Sequence, residues 1–260
     1  MKNNTWGVGL VWLMGLALAW EWGAQLLAVD FHDPMAASKL PYLHAVIATM
    51  VQNWDALLEA AGVTFLQAAI GFVLGGLVGY ALAILMSVSR TIERIAFPYL
   101  IVSQMIPVLG LAPIVFNLVR DMNASRILIA AYITFFPVAA NTLSGFRSVD
   151  AEKRTLMHSY AAGSPTTYLK LMMPFALPHL FAGLKIAAPL SVTASILVDM
   201  LGSKNGIGVK LLYALYGGNM DIFWASVVTS ALMGVASYLV VLGVEKLLVP
   251  WENSSGGAVK

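Results

Sequence analysis

VDAEKRTLMHSYAAGSPTTYLKLMMPFALP, residues Val149 to Pro178, is the stretch from which the fold can be read. It is too polar to sit in lipid, yet Lys153, Leu156, Met157, Tyr160 and Ala161 recur at the three-and-four spacing of one helical face. A turn at Gly163-Ser164-Pro165 interrupts it, and a short apolar segment from Tyr168 to Met173 follows. Pro174 and Pro178 are expected to stop that segment and redirect the chain into the next apolar run. The segment reads as two short helices in a large loop between membrane spans.

The composition on either side agrees. Hydrophobic residues make up 59% of the chain and charged residues 11%, against roughly 25% charged in a soluble domain. With 15 Lys and Arg and 13 Asp and Glu, mostly in loops, a core of this size could not be kept dissolved. The chain therefore reads as all-α and polytopic, one transmembrane domain over residues 1–260. The net charge of +2 gives no reason to expect a nucleic-acid partner, and with no cysteine there is neither a disulfide framework nor a thiolate metal site. The run from Trp6 to Val29 follows a single Lys and lacks a small-residue cleavage site after a short core, so it reads as a retained span.

Crossing about 30 Å of hydrocarbon takes about 20 apolar residues. Six stretches qualify: 6–29, 61–88, 97–119, 127–146, 180–201 and 222–249. Six spans put both termini on one side. A cytoplasmic N-terminus places Lys2, Arg90, Arg94, Arg147, Lys153, Arg154, Lys170, Lys246 and Lys260 inside, and Lys39, Arg120, Arg126, Lys204 and Lys210 outside. The cation bias favours that orientation and puts the 150–178 loop in the cytoplasm. Residues 30–59 then form an external loop with a surface helix around Tyr42 to Val51.

Within the spans, Gly71, Gly75, Gly76 and Gly79 give a doubled G-x-x-x-G spacing that admits a close backbone. Packing inside one subunit is favoured over a dimer contact. Pro98, Pro107 and Pro113 make the third span irregular, which at membrane depth is tolerated where the backbone is buried in protein or lines a cavity. Met105, Ile106, Pro107, Val108, Leu109 and Pro113 are accordingly the candidate translocation path, with structural kinking as the equal alternative.

From about Thr64 to Trp251 the chain resembles the membrane permease subunits of binding-protein-dependent ATP-binding-cassette importers, in the branch handling nitrate, sulfonate or taurine and thiamine-precursor or riboflavin-like compounds. The resemblance rests on GFVLGGLVGYALAILMSVSRTIERIAFPYL, IPVLGLAPI at 106–114, FFPVAANTLSGFRSVD at 135–150, FALPHLFAGLKIA at 175–187 and DMLGSKNGIG at 199–208, in the family's order. It implies that 150–178 is the coupling loop that docks on a separate ATPase. Thr155, Leu156 and Met157 stand where the family has Glu-Ala-Ala, Ala161 stands at its glycine, and Leu171, Met173 and Pro174 fit its closing apolar-x-Leu-Pro pattern. After Pro113, Leu118 to Met122 replace the family's usual Trp-Phe-Gly-x-Gly. The implied coupling residues are Leu156, Met157, Tyr160, Ala161, Ala162 and Gly163. The implied partners are ABC ATPase subunits carrying ATP and Mg, a second permease subunit, identical or paralogous, and a periplasmic or lipoprotein solute-binding protein.

Ionisable residues in spans are expensive and need an account. Glu21, between Trp20 and Trp22, reads as an interfacial anchor, and Glu245 as the partner of Lys246 at a span exit. Lys185 can snorkel to the interface. Asp199 precedes a Gly-rich turn where the family usually carries Glu, and with Lys185 forms the candidate polar site; capping or pairing is favoured there over substrate contact. Scattered histidines and the absence of a Gly-x-x-x-x-Gly-Lys-Ser/Thr loop argue against an enzyme and against ATP or any other cofactor in this chain. A self-sufficient secondary transporter or channel is the alternative, disfavoured by the scarcity of intramembrane charge. The same scarcity tilts the substrate slightly from a nitrate- or sulfonate-type anion towards a pyrimidine- or riboflavin-type vitamin precursor.

Overall fold

A computed structural model describes residues 5–30, 32 and 35–251, and within them the chain is helical with no strand. Lys2 and Lys260, counted above for orientation, lie outside the described residues. Helix α1 is Thr5–Gln25, continued by a π-helical turn at Leu26–Asp30. A short α2 (Ala36–Lys39) and α3 (Leu43–Gln52) follow. Glu21 accepts the backbone N–H of Leu43 at 2.8 Å and the Trp20 indole N–H donates to Pro41 O at 2.9 Å, so α1 is fastened to the start of α3.

The centre of the molecule is α7 (Met122–Arg147), packed between α4 (Trp54–Val88) and α9 (Ser164–Met200). Small residues make that contact possible. A side chain on Gly75 would lie 2.7 Å from Thr134 Cβ, and one on Gly79 3.0 Å from Val138 Cβ. Gly183 of α9 likewise meets Pro137 O at 2.7 Å, and Gly145 of α7 meets Ala176 Cα at 2.9 Å. Of the G-x-x-x-G residues, Gly71, Gly75 and Gly79 therefore face α7 of the same chain, whereas Gly76 looks towards Leu184. Around the contact, Met86, Leu143, Phe146 and Ala176 form one buried cluster and Ile129, Ala194 and Val198 another.

Helix α4 is longer than expected, beginning at Trp54 rather than residue 61. At 1.5 Å per residue its 35 residues span roughly 52 Å, well beyond the hydrocarbon thickness, and Asp55 and Glu59 occupy its polar start. The expected span 97–119 is not one helix. It is α5 (Arg90–Met105) and α6 (Val108–Val119), bent 96° apart. Pro107 has no N–H to continue α5, and it holds the preceding Ile106 in an extended conformation. Helix α6 then restarts on Pro107, whose carbonyl receives Gly110 N at 3.0 Å.

Pro174 and Pro178 do not stop the chain as expected; both lie inside α9, which runs 37 residues. The turn before Pro174 is π-helical over Tyr168–Met172. A proline deprives the carbonyl four residues back of its partner and crowds it, and the wider turn around Lys170 relieves that crowding. After α9 come α10 (Ile207–Tyr216) and α11 (Met220–Leu248). Among the described residues, helices α4, α7, α9 and α11 are long and apolar enough to cross a membrane, and the bent α5–α6 pair, taken as one span, brings the total to five.

Candidate functional site

The three groups of residues singled out in the sequence do not come together in one site. The first is α8 (Ala151–Ser159), which follows α7 at Asp150 and ends in a tight turn. Arg154 ties it back by donating to Phe146 O at 2.9 Å, and Lys153 pairs with Asp150 at 2.9 Å while lying 4.4 Å over the Phe175 ring. The Ser87 and Tyr168 hydroxyls bond across from α4 to α9, and the Phe146 and Tyr168 rings meet at 5.3 Å. The apolar face is left largely uncovered: Leu156 is 55% and Tyr160 77% exposed, and only Met157 is half-buried. Ala162 is half-buried and Gly163 exposed. Ala161 takes a left-handed backbone, φ 51°, at the position where the family pattern has glycine, the residue that enters this region without steric cost.

The second group is the bend. Met105, Ile106, Pro107, Leu109 and Pro113 are exposed, Leu109 at 59%. Val108 does not join them. It turns inward against the cluster of Ala112, Ile129, Ala194 and Val198, as the first residue of a helix that packs on α7. Tyr132 of α7 donates to Ser103 O and so pins α5 just before the break.

The third group divides. Asp199 and Lys185 share α9 but not a site. Asp199 is fully buried at the end of the bundle opposite α8, 2.5 Å from Arg126 Nε, with Thr64 Oγ1 donating to it at 2.6 Å and Gly208 N at 3.2 Å. Thr64 Oγ1 in turn accepts Ile207 N at 2.9 Å, and Arg126 also reaches Ser203, Asn205 and Asn123. This knot joins α4, α7, α9 and α10, and it explains Gly206 and Gly208 of DMLGSKNGIG. A side chain on Gly206 would meet the Asp199 carboxylate 2.6 Å from its carbon, and Gly206 has φ 117°, where only glycine is at ease. Arg126, counted above among external loop cations, is instead wholly buried. Its signal was hidden, because its partner stands 73 residues away and no local spacing links the two.

Lys185 donates to both oxygens of Glu245 at 2.8 Å, joining α9 to α11. Glu245 does not pair with its neighbour Lys246 as expected. Lys185 lies on the face of α9 that α11 covers, so the carboxylate of α11 reaches it and the charge has no need to snorkel.

Residues 71–252 match the model of the family described as binding-protein-dependent transport system inner membrane component. The chain belongs to that family. This ABC-importer permease is 28% identical to the formylaminopyrimidine transport permease protein ThiX of Halalkalibacterium halodurans over 92% of its own length and 93% of that protein. It is 27% identical to the putative aliphatic sulfonates transport permease protein SsuC of Bacillus subtilis over 75% and 71% of the two chains. To the riboflavin transport system permease protein RibX of Chloroflexus aurantiacus it is 29% identical over 64% and 62%. The permease is thus an integral inner-membrane transport component, of a family of transport subunits rather than enzymes. The matched residues include α8, the α5–α6 bend, the Arg126–Asp199 pair and the Lys185–Glu245 pair.

Proposed function

We propose that the permease, as a single six-span transmembrane domain with α1 as its first span, forms with a second permease subunit the path of an ATP-driven importer. A solute-binding protein outside the membrane delivers the solute, and separate ATPase subunits carrying ATP and Mg supply the energy. The observation that carries this reading is the uncovered face of α8. An apolar pair at Leu156 and Tyr160, on a polar helix beyond the ends of two membrane-length helices, suits a partner groove better than water. Because α9 runs unbroken from Ser164 to Met200, a push on the α8–α9 turn would be transmitted along a rigid helix to the far end of the bundle.

The orientation with α8 in the cytoplasm is supported by the gathering of Arg90, Arg94, Arg147, Lys153, Arg154 and Lys170 at that end. Burial of Arg126 removes it from the opposing loops, which sharpens the bias. For the substrate, the buried Arg126 and the half-buried Lys185 of the span helices are both held by carboxylates. Together with likeness to a formylaminopyrimidine permease along nearly the whole chain, this favours a pyrimidine-type or vitamin-precursor solute over a nitrate- or sulfonate-type anion.

Leu156→Glu combined with Tyr160→Glu tests the reading. The variant should insert and melt like the wild type, since neither side chain is packed, while co-purification of the ATPase and binding-protein-stimulated ATP hydrolysis fall at least tenfold. Wild-type ATPase recovery with intact uptake would refute it.

A further inference from the structure

At the α8 end of the bundle, a recess of about 530 Å³ opens where α4 and α7 end. Its rim carries Arg90 and Arg94 from the first turns of α5, Arg147 from the last turn of α7, and Arg154 from α8. Glu93 is the acidic residue lining it, and Glu93 is taken by Arg147. Four arginines against one glutamate leave three positive charges around one opening. Asp150 nearby is engaged by Lys153. Arg154 spends one nitrogen on Phe146 O. Arg90 and Arg94 are exposed and have no side-chain hydrogen bond or ion pair among the described residues.

The floor is of the opposite character: Leu143, Phe146 and Val149 are buried there and Met172 half-buried. Beside the arginines, the start of α5 exposes Ile92 and Ile95. The recess thus offers guanidinium groups beside exposed apolar side chains, at the level where two membrane-length helices end. Guanidinium N–H groups match phosphate oxygens in geometry as well as charge. Basic pockets between spans at this depth suit anionic headgroups.

We propose that this recess binds the phosphate of an anionic phospholipid, with the phosphodiester between Arg90, Arg94 and Arg154 and the glycerol ester region against Met172 and the exposed Ile92 and Ile95. The exposed apolar side chains beside the arginines, Ile92 and Ile95, are what favour a lipid over a free phosphate, which would gain nothing from them. The proposal does not depend on which side of the membrane α8 faces, nor on the substrate.

The test uses the full chain, purified and placed in nanodiscs of equal phosphatidylglycerol and phosphatidylcholine, then released for native mass spectrometry. Phosphatidylglycerol should be retained in preference. Each cation beside an anionic headgroup is worth about fivefold, so Arg90→Gln with Arg94→Gln should lower that retention by on the order of twentyfold. Lys246→Gln, which removes one charge outside the recess and so matches Arg94→Gln alone, should not lower it. Arg94→Gln alone, expected at about fivefold, serves if the double variant fails to fold. Equal retention of both lipids, or no loss in the variants, would overturn the proposal. So would inorganic phosphate binding the delipidated chain with the same arginine dependence, which assigns the site to a free anion. Loss of lipid in the variants without preference for phosphatidylglycerol, together with protection of Arg90 and Arg94 only when the ATPase is bound, would assign the recess to the protein partner instead.

Discussion

Arg126 Nε lies 2.5 Å from Asp199 Oδ1 with both side chains fully buried, which binds the first turns of α7 to the last turn of α9. The pair stands inside a shell of donors and acceptors, Thr64, Gly208, Ser203 and Asn205, so neither charge is left without hydrogen-bonding company. Removing one partner strands the other. Asp199→Leu and Arg126→Met should each destabilise the permease by about 3–5 kcal/mol. The double variant should lose less than the sum, because no lone charge remains. Thermal melts of the four proteins in one detergent check this; additive losses would mean the two charges do not depend on each other.

Gly75 and Gly76 are neighbours with opposite expectations. A methyl on Gly75 would enter α7, 2.8 Å from Ala131 Cα, where backbone rather than a flexible side chain must move. Gly75→Ala should therefore cost about 1–3 kcal/mol as an overpacked contact. Gly76→Ala would meet only Leu184 Cδ2 at 3.4 Å and should be close to neutral. Yield and melting temperature of the two alanine variants separate them, and equal losses would contradict the α4–α7 contact.

Ala161, with φ 51°, holds a conformation that costs a non-glycine residue about 1–2 kcal/mol. Ala161→Gly relieves that strain but loosens the unfolded chain, so a net gain of about 0.5–1 kcal/mol is expected. A higher melting temperature with unchanged yield is the result anticipated; a clear loss would show that the turn after α8 does not have this backbone.

The bend residues Leu109 and Val108 should respond to tryptophan in different ways. Leu109→Trp adds bulk at an exposed site, leaving stability within about 0.5 kcal/mol while uptake falls if the bend lines the path. Val108→Trp forces bulk into the cluster with Ala112 and Ala194 and should cost about 1–3 kcal/mol in stability. Uptake assays paired with melts of both variants decide, and unimpaired uptake in Leu109→Trp would place the path elsewhere.

The sequence by itself determined the class of the molecule and most of its elements. Runs of apolar residues long enough to cross a bilayer, and a polar amphipathic interruption at 150–163, are local properties, and composition and periodicity report them directly. The small residues at Gly71, Gly75 and Gly79 announced a close helix contact, but only the packing identified α7 of the same chain as its partner. Proline was the misleading signal. At Pro107 it broke the helix, whereas at Pro174 and Pro178 the chain stays helical, because a π-turn gives the ring room and α7 holds the helix by packing. The ion pairs lay beyond reach for a different reason. Asp199 with Arg126, and Lys185 with Glu245, are separated by 73 and 60 residues, and no spacing along a chain tells which carboxylate folding will bring to which cation. Those pairings follow from how α7, α9 and α11 cross, and so only the tertiary structure decided them.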